Sequence, residues 1–223
     1  MCGRYTLRTK LNQALQDWAV LTRDLAWEAC YNIAPTDQVP IVRLENGIRT
    51  ASLARWGLIP PWVDDPARSP PLINARADTV ADKPAFRTSF QQSRCLVPAD
   101  GFYEWKKTGK TKQKYFIHRT DDQPLAFAGL FRRARCGERF VDSCCIITTD
   151  ANSLMNPLHD RMPAILSPGQ FDRWLDPEFQ AKDQLLSMLR PCDDAMLYAY
   201  AAQNHGGNVR EQGDQCIAPI AAG

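Results

Sequence analysis

The sequence predicts a single α+β domain over residues 1–223. Its apolar β runs follow one another in hairpins and do not alternate with helices, which argues against a doubly wound parallel sheet. There is no internal repeat and no break in composition. Hydrophobic residues make up 44% and charged residues 23%, and 27 basic against 25 acidic residues give a net charge of +2. These values are typical of a folded globular protein and exclude a disordered tail or a coiled coil.

Three segments show the apolar spacing of helices. The first is predicted to begin at Thr9 as N-cap and to bury Leu11, Ala14, Leu15 and Trp18. Ser167 followed by Pro168 predicts the start of a second helix, because proline is favoured at the first helical position. A third stripe contains Leu185, Leu186 and Leu189 and ends before Pro191.

The strands are predicted from runs rich in β-favouring residues, and residues 45–47 (Glu-Asn-Gly) are a strong hairpin signal between two of them. Residues 31–35 and the proline-rich residues 60–71 are predicted to be loops. The predicted strands cover residues 39–44, 48–56, 95–97, 102–106, 115–118, 125–130 and 141–148.

The sequence also indicates the cell compartment in which the protein acts. No apolar run approaches the ~20 residues that span a bilayer, and the first residues lack the apolar stretch of a signal peptide. The eight cysteines show no zinc-ligand spacing and are expected to be reduced and buried. We therefore expect a cytoplasmic monomer with no metal and no cofactor.

Cys2 directly follows Met1. Removal of Met1 would leave an α-amine and a thiol on one residue, with reference pKa values of about 7.7–8.0 and about 8.5. Such a 1,2-aminothiol forms a Schiff base with an aldehyde and then closes to a thiazolidine. The alternative is a chance cysteine on a frayed terminus.

Three further segments carry groups suited to chemistry. Asn74 and Arg76 point to one face if their segment is extended, where they would hold a carbonyl or amine and a phosphate. Glu104 lies between aromatic residues, which favours a raised pKa and a general acid/base role. His159 exchanges protons near neutral pH, and Arg161 shares its face in an extended segment. A turn Asn with a surface Arg, an ion-paired Glu and a structural His are the alternatives.

A basic run without acids extends from residue 106 to residue 119. Beside the aromatic residues Tyr103, Trp105, Tyr115 and Phe116, it has the composition of a single-stranded nucleic-acid site. A solvated hairpin is the alternative interpretation. The basic residues are Lys106, Lys107, Lys110, Lys112, Lys114 and Arg119.

Taken together and in order, these stretches resemble the SOS response-associated peptidase (SRAP) family, the abasic-site crosslinking proteins. The resemblance covers residues 2 to about 210. The matching stretches are MCGRY at 1–5, YNIAP at 31–35, WGLIP at 56–60, NAR at 74–76, PADGFYEW at 98–105, HDRMP at 159–163 and Asn208-Val209.

This resemblance implies antiparallel β-sheets that form a barrel-like core with peripheral helices. It also implies that Cys2 captures the aldehyde of an abasic site in single-stranded DNA. Asn74 would hold Cys2 and the opened sugar, Glu104 would act as acid/base, and His159 would assist Schiff-base formation and reversal. The DNA-contacting residues would be Arg4, Asn32, Trp62, Arg76, Trp105, Lys106 and Arg161. Asp78 stands where the family usually has glutamate.

Three other functions are compatible with the same residues. A thiol peptidase acting in trans would use Cys2, His159 and Glu104. An abasic-site lyase would share the Schiff base without a lasting adduct. A single-stranded DNA-binding module would bind intact and abasic strands equally, with no covalent product.

Overall fold

The computed structural model describes residues 2–22, 25–109, 111–205 and 207–220. The strands in these ranges are β1 (Tyr5–Leu7), β2 (Cys30–Ile33), β3 (Gln38–Glu45), β4 (Ile48–Trp56), β5 (Asn74–Arg76), β6 (Arg94–Ala99), β7 (Gly101–Thr108), β8 (Thr111–Arg119), β9 (Leu125–Cys136), β10 (Arg139–Asp150), β11 (Arg161–Pro163) and β12 (Leu197–Ala201). The α-helices are α1 (Leu11–Ala14), α2 (Arg87–Gln92), α3 (Phe171–Leu175) and α4 (Lys182–Ser187). Short 3₁₀ turns cover Gln16–Trp18, Pro66–Arg68, Pro168–Gln170, Asp194–Met196 and Asp214–Cys216.

Five strands close into a barrel in the order β10-β4-β3-β6-β9, because β9 pairs back to β10. The pairings of β10 with β4 and with β5 are parallel, whereas the other ladders of the barrel are antiparallel. The α+β class and the barrel-like core are thus as predicted, with two parallel pairings added to the expected antiparallel sheets.

A second sheet, in the order β12-β8-β7-β1-β2, packs one face against the barrel. Tyr5 of β1 meets Trp56 and Phe127 edge-on, with ring centroids 5.1 and 6.0 Å apart, and Phe102 of β7 also contacts Phe127. These aromatic contacts join the two sheets into one core. No helix in the described part of the chain is both long and apolar enough to cross a membrane.

The predicted hairpin at Asn46-Gly47 and the two late helices are confirmed, although α4 ends at Ser187, before the predicted Leu189. Asn46 and Gly47 both have positive φ, at 50° and 78°, as a two-residue turn between β3 and β4 requires. Ser167 forms a capping box with Gln170 ahead of α3. Residues 60–71 form an irregular loop around one 3₁₀ turn, as expected.

The first helix and the segment at 31–35 differ from the prediction. Lys10 and not Thr9 is the N-cap, because the Thr9 hydroxyl donates to Asp100 at 2.9 Å. The single helix that was predicted here is divided into α1 and the 3₁₀ turn Gln16–Trp18. Tyr31–Ile33 belong to β2, since pairing with β1 supplies hydrogen bonds that local sequence signals do not reveal.

Gly129 allows the barrel to close tightly. It pairs with Cys95 of β6 on one side and Ile146 of β10 on the other. A Cβ at this position would lie 2.8 Å from the Cys95 sulfur and 2.9 Å from a methyl of Val97. The glycine is therefore required by space, because its neighbours are packed core residues.

Gly129→Ala is expected to lower the free energy of unfolding by about 1–3 kcal/mol, the usual cost of overpacking a core. The matched control is Gly169→Ala, since no atom lies within 4 Å of its added Cβ. That control should change stability by less than about 0.5 kcal/mol. Urea denaturation of both variants measures the difference, and equal stabilities would contradict the packing argument.

Candidate functional site

Strand β10 assembles one wall of the site from segments distant in sequence. Asn74 of β5 pairs with Ile146 in parallel, and Arg161 of β11 pairs with Asp150 in the antiparallel sense. Arg76 follows Asn74 along β5. The segments at 74–76 and 161–163 are extended, as the sequence argument required, and they lie beside the same strand.

Cys2 is held against this wall and is fully buried. The Asn74 side-chain amide donates to the Cys2 carbonyl at 2.8 Å, and the Cys2 sulfur lies 3.7 Å from the Arg4 carbonyl oxygen. Asn74 Oδ1 is buried and has no hydrogen-bond partner among the described residues. An unused acceptor therefore lies beside Cys2. Met1, which the interpretation of Cys2 requires to be removed, lies outside the described residues.

Glu104 enters the site from the second sheet. Side chains alternate along β7, so Phe102 joins the main core while Tyr103 and Trp105 pack in a separate cluster. Glu104 is 4% exposed and interacts electrostatically with both Cys2 and His159. Burial raises the pKa of the Glu104 carboxyl, and the charge of His159 acts in the opposite direction.

The same surroundings keep the thiol of Cys2 protonated. Burial, followed by the nearby Glu104 carboxylate, raises the pKa of Cys2 well above its ordinary value. A reactive peptidase thiolate instead needs a lowered pKa. The thiol here needs a base that takes its proton during reaction, and Glu104 is the carboxylate beside it.

His159 lies in the turn before β11 with its side chain 30% exposed. The backbone N–H of Arg161 donates to His159 Nδ1 at 2.9 Å. This hydrogen bond assigns the proton of the neutral ring to Nε2. Asp160 Oδ1 lies 2.8 Å from Nδ1 and can pair with the protonated ring. The two partners fix the orientation of the imidazole.

Three of the predicted DNA-contacting residues reach solvent. Trp62 is 61% exposed on the proline-rich loop. Arg76 is exposed and forms a two-point ion pair with Asp78, whose closer contact is 2.7 Å. Lys106 is half-buried and shares the strand face of Glu104. These three side chains are accessible to a ligand.

Asn32 is engaged inside the fold, where it binds Arg4, which is itself half-buried. Arg4 donates to Asn32 Oδ1 at 2.7 Å, and the Asn32 amide donates to the carbonyls of Asn208 and Glu211 at 2.9 and 3.1 Å. Asn32 is 1% exposed, so the structure does not present it for the DNA contact that the sequence predicted. Asn32 holds Arg4 and the C-terminal segment together. Its binding to backbone carbonyls could not be predicted from the sequence, because every residue has such a carbonyl.

Arg161 also differs from the expected DNA contacts, whereas Trp105 is half-buried and its predicted contact stays a prediction. Arg161 is buried, and its guanidinium donates to Asp150 and, at 2.5 Å, to the Thr148 carbonyl. It therefore links β11 to β10. Trp105 lies on the face of β7 opposite Glu104 and packs against Tyr103, with ring centroids 6.2 Å apart.

The basic run of residues 106–119 is not one exposed stripe. Lys114 is buried, and its ammonium donates to the carbonyls of Cys216, at 2.9 Å, and His205. Arg119 forms an ion pair with Asp121. Lys107 and Lys112 remain exposed, and Lys110 lies outside the described residues. Lys114 anchors the C-terminal segment against the outer face of the second sheet.

Comparison with known proteins identifies the family to which this chain belongs. The family model for the SOS response associated peptidase (SRAP) matches residues 1–209. The chain belongs to the SRAP family. Similar members include the abasic site processing proteins YoqW of Bacillus subtilis, 37% identical over 90% of this chain and 91% of the relative, and YedK of Escherichia coli, 32% identical over 99% and 100%.

Similarity extends to a eukaryotic SRAP relative and to solved structures. The abasic site processing protein HMCES of Xenopus tropicalis is 31% identical over 87% of this chain and 67% of the relative. A crystal structure of a Bacteroides thetaiotaomicron protein superposes with a TM-score of 0.86 at 26% identity, covering 98% of this chain and 100% of that one.

Glu104→Gln is expected to raise the free energy of unfolding at neutral pH. Because burial raises the pKa of Glu104, the folded state binds this proton more tightly than the unfolded chain. Ionisation therefore lowers wild-type stability as pH rises above about 4.3, the ordinary glutamate value. The difference between the two proteins should disappear below that pH.

Urea denaturation across a pH series tests this expectation. The matched control is Glu178→Gln, an exposed glutamate after α3. Its stability difference should stay small at every pH. A wild type more stable than Glu104→Gln at neutral pH would contradict the direction of the shift.

Proposed function

We propose that this protein processes abasic sites in single-stranded DNA by forming a covalent thiazolidine through Cys2. The observation that supports this proposal most directly is the environment of Cys2. Cys2 is buried, Asn74 holds it through a hydrogen bond, and it interacts electrostatically with Glu104. The names of the relatives, abasic site processing proteins, support the substrate class. Removal of Met1 is part of the proposal, because it frees the α-amine of Cys2.

The reaction proceeds in two bond-forming steps. The α-amine attacks the aldehyde carbon of the ring-opened sugar, and loss of one water gives an iminium. The Cys2 sulfur then adds to the iminium carbon while its proton passes to a base, which closes the five-membered ring. The net change is one C–N bond and one C–S bond formed, with one water released.

Each neighbouring group has a task that its position supports. Glu104 donates a proton to the departing oxygen and accepts the thiol proton, for which a carboxyl with a raised pKa is suited. The unused Asn74 Oδ1 accepts a hydrogen bond from the amine of Cys2 or a sugar hydroxyl. His159 offers Nε2–H to the opening sugar. Arg76 and Trp62, both exposed, contact phosphate and base.

The proposal extends to processing and cellular context. Met1 is removed by self-cleavage or by an aminopeptidase before the crosslink forms. The protein acts as a monomer in the bacterial cytoplasm, on DNA of the nucleoid. Reversal of the thiazolidine would proceed through the same iminium, with lyase-like strand cleavage as a side reaction.

Cys2→Ala is expected to abolish the stable thiazolidine adduct while reversible DNA binding persists, because the thiol that closes the ring is lost and the remaining α-amine can form only a reversible imine. Intact mass spectrometry measures the adduct after mixing with a single-stranded oligonucleotide that carries one abasic site. Wild type without Met1 should gain the oligonucleotide mass less one water. The matched control, Cys136→Ala, should crosslink like wild type, and full crosslinking by Cys2→Ala would overturn the mechanism.

Glu104→Gln is expected to slow adduct formation by about 10²-fold or more, the usual contribution of a general acid/base. Single-turnover crosslinking rates measure the effect, with reversible affinity for intact DNA as the second readout. Glu178→Gln carries the same chemical change on an exposed site and should leave both values unchanged. An unchanged rate for Glu104→Gln would remove its proton-transfer role.

A further inference from the structure

An open cleft of about 580 Å³ lies between the proline-rich loop and the hairpin of β9 and β10. Neither its arginines nor its walls take part in the chemistry at Cys2. The loop forms one wall and β9 the other. The residues that line it are Pro60, Pro61, Val63, Asp64, Arg132, Ala134, Arg135 and Gly137.

The hairpin wall of this cleft is positively charged. Among the described residues, Arg132, Arg135 and Arg139 have no carboxylate within 4.0 Å. Arg133 is already committed, since its guanidinium lies 3.8 Å from Asp142 and over the Phe140 ring. Arg135 Nε donates to the Gly137 carbonyl at 3.1 Å, and Asp64 of the loop wall also lines the cleft. The guanidinium nitrogens that remain without a carboxylate partner favour an anionic ligand and match phosphate geometry.

Exposed aromatic rings flank the same arginines. Trp62 lies on the loop between two lining residues and is 61% exposed. Phe140 is 62% exposed and is the cross-strand partner of Arg135. Arginines interleaved with exposed aromatic faces provide both phosphate contacts and base stacking, the combination that binds single strands without sequence preference.

Strand β10 connects the cleft to the site. Arg132 pairs with Ser143 of β10, and Asn74 pairs with Ile146, so their register positions are about 10 Å apart along the strand. The loop is tied to the same stretch, because Ile59 N–H donates to the Ser143 hydroxyl at 3.1 Å. The cleft and Asn74 therefore lie along the same stretch of β10.

We propose that this cleft binds the single DNA strand adjoining the lesion, with Arg132 and Arg135 contacting consecutive phosphates and Trp62 and Phe140 stacking on bases. This inference rests on the proposed function for its choice of ligand. The cleft contributes to affinity for longer strands and leaves the chemistry at Cys2 unaffected.

The test compares wild type with Arg132→Gln/Arg135→Gln on oligonucleotides of about 4 and about 16 nucleotides. Fluorescence anisotropy with the longer, undamaged strand should show about tenfold weaker binding by the double variant. The slope of log K against log salt should be shallower by about 1.4, at about 0.7 for each lost phosphate contact. The crosslinking rate with the shorter abasic strand should be unchanged.

Two matched variants make the comparison specific. Arg87→Gln/Arg173→Gln removes the same charge from exposed positions on α2 and α3, outside the cleft lining, and should bind like wild type. Arg132→Lys/Arg135→Lys keeps the charge and should recover most of the affinity. Thermal unfolding of every variant verifies that the fold is intact.

The outcomes separate the two proposals. Unchanged affinity and salt slope in Arg132→Gln/Arg135→Gln would overturn the proposal that the cleft binds DNA, even if the crosslink forms. Equal losses in the Arg87/Arg173 control would also overturn it, since the effect would then be net charge alone. Failure of wild type to crosslink the short abasic strand would instead overturn the proposed chemistry. The binding comparison would still test whether the cleft binds DNA.

Discussion

The pairing of β10 is the constraint on which the rest of the structure depends. This one strand closes the barrel with β9 and β4 and also receives the short strands β5 and β11. Three-residue strands gain little stability alone, so their position is set by the strand that they join. Asn74 and Arg161, far apart in sequence, both lie beside β10 because their strands pair with it, at Ile146 and at Asp150.

Burial then determines the chemistry that this position allows. Cys2 is within a closed environment shared with Glu104, and burial raises the pKa of both groups. A neutral thiol is a poor first nucleophile but is well suited to add to an iminium once a base takes its proton. Burial lowers the stability of the fold when Glu104 ionises. Burial also raises the pKa of this carboxyl, and a raised pKa suits a group that gives and takes protons near neutral pH.

Much of the fold was predictable from local signals. The Asn46-Gly47 turn, the helix start at Ser167 and Pro168 and the long strands were found because each is specified by neighbouring residues. The short strands β1, β2 and β12 were missed, since their hydrogen-bond partners are distant in sequence. The arginines of β9 were not singled out in the sequence, and only the cleft against the Trp62 loop distinguishes them from an ordinary charged hairpin.

The sequence by itself determined the fold class, the family resemblance and the candidate groups Cys2, Asn74, Glu104 and His159, because each lies in a recognisable local stretch. Only the tertiary structure decided which side chains face the site. Asn32 and Lys114 turn inward to bind backbone carbonyls of the C-terminal segment, whereas Trp62 stays exposed. The physical reason is that burial and hydrogen-bond partners depend on strands brought together across the chain, which no local pattern records.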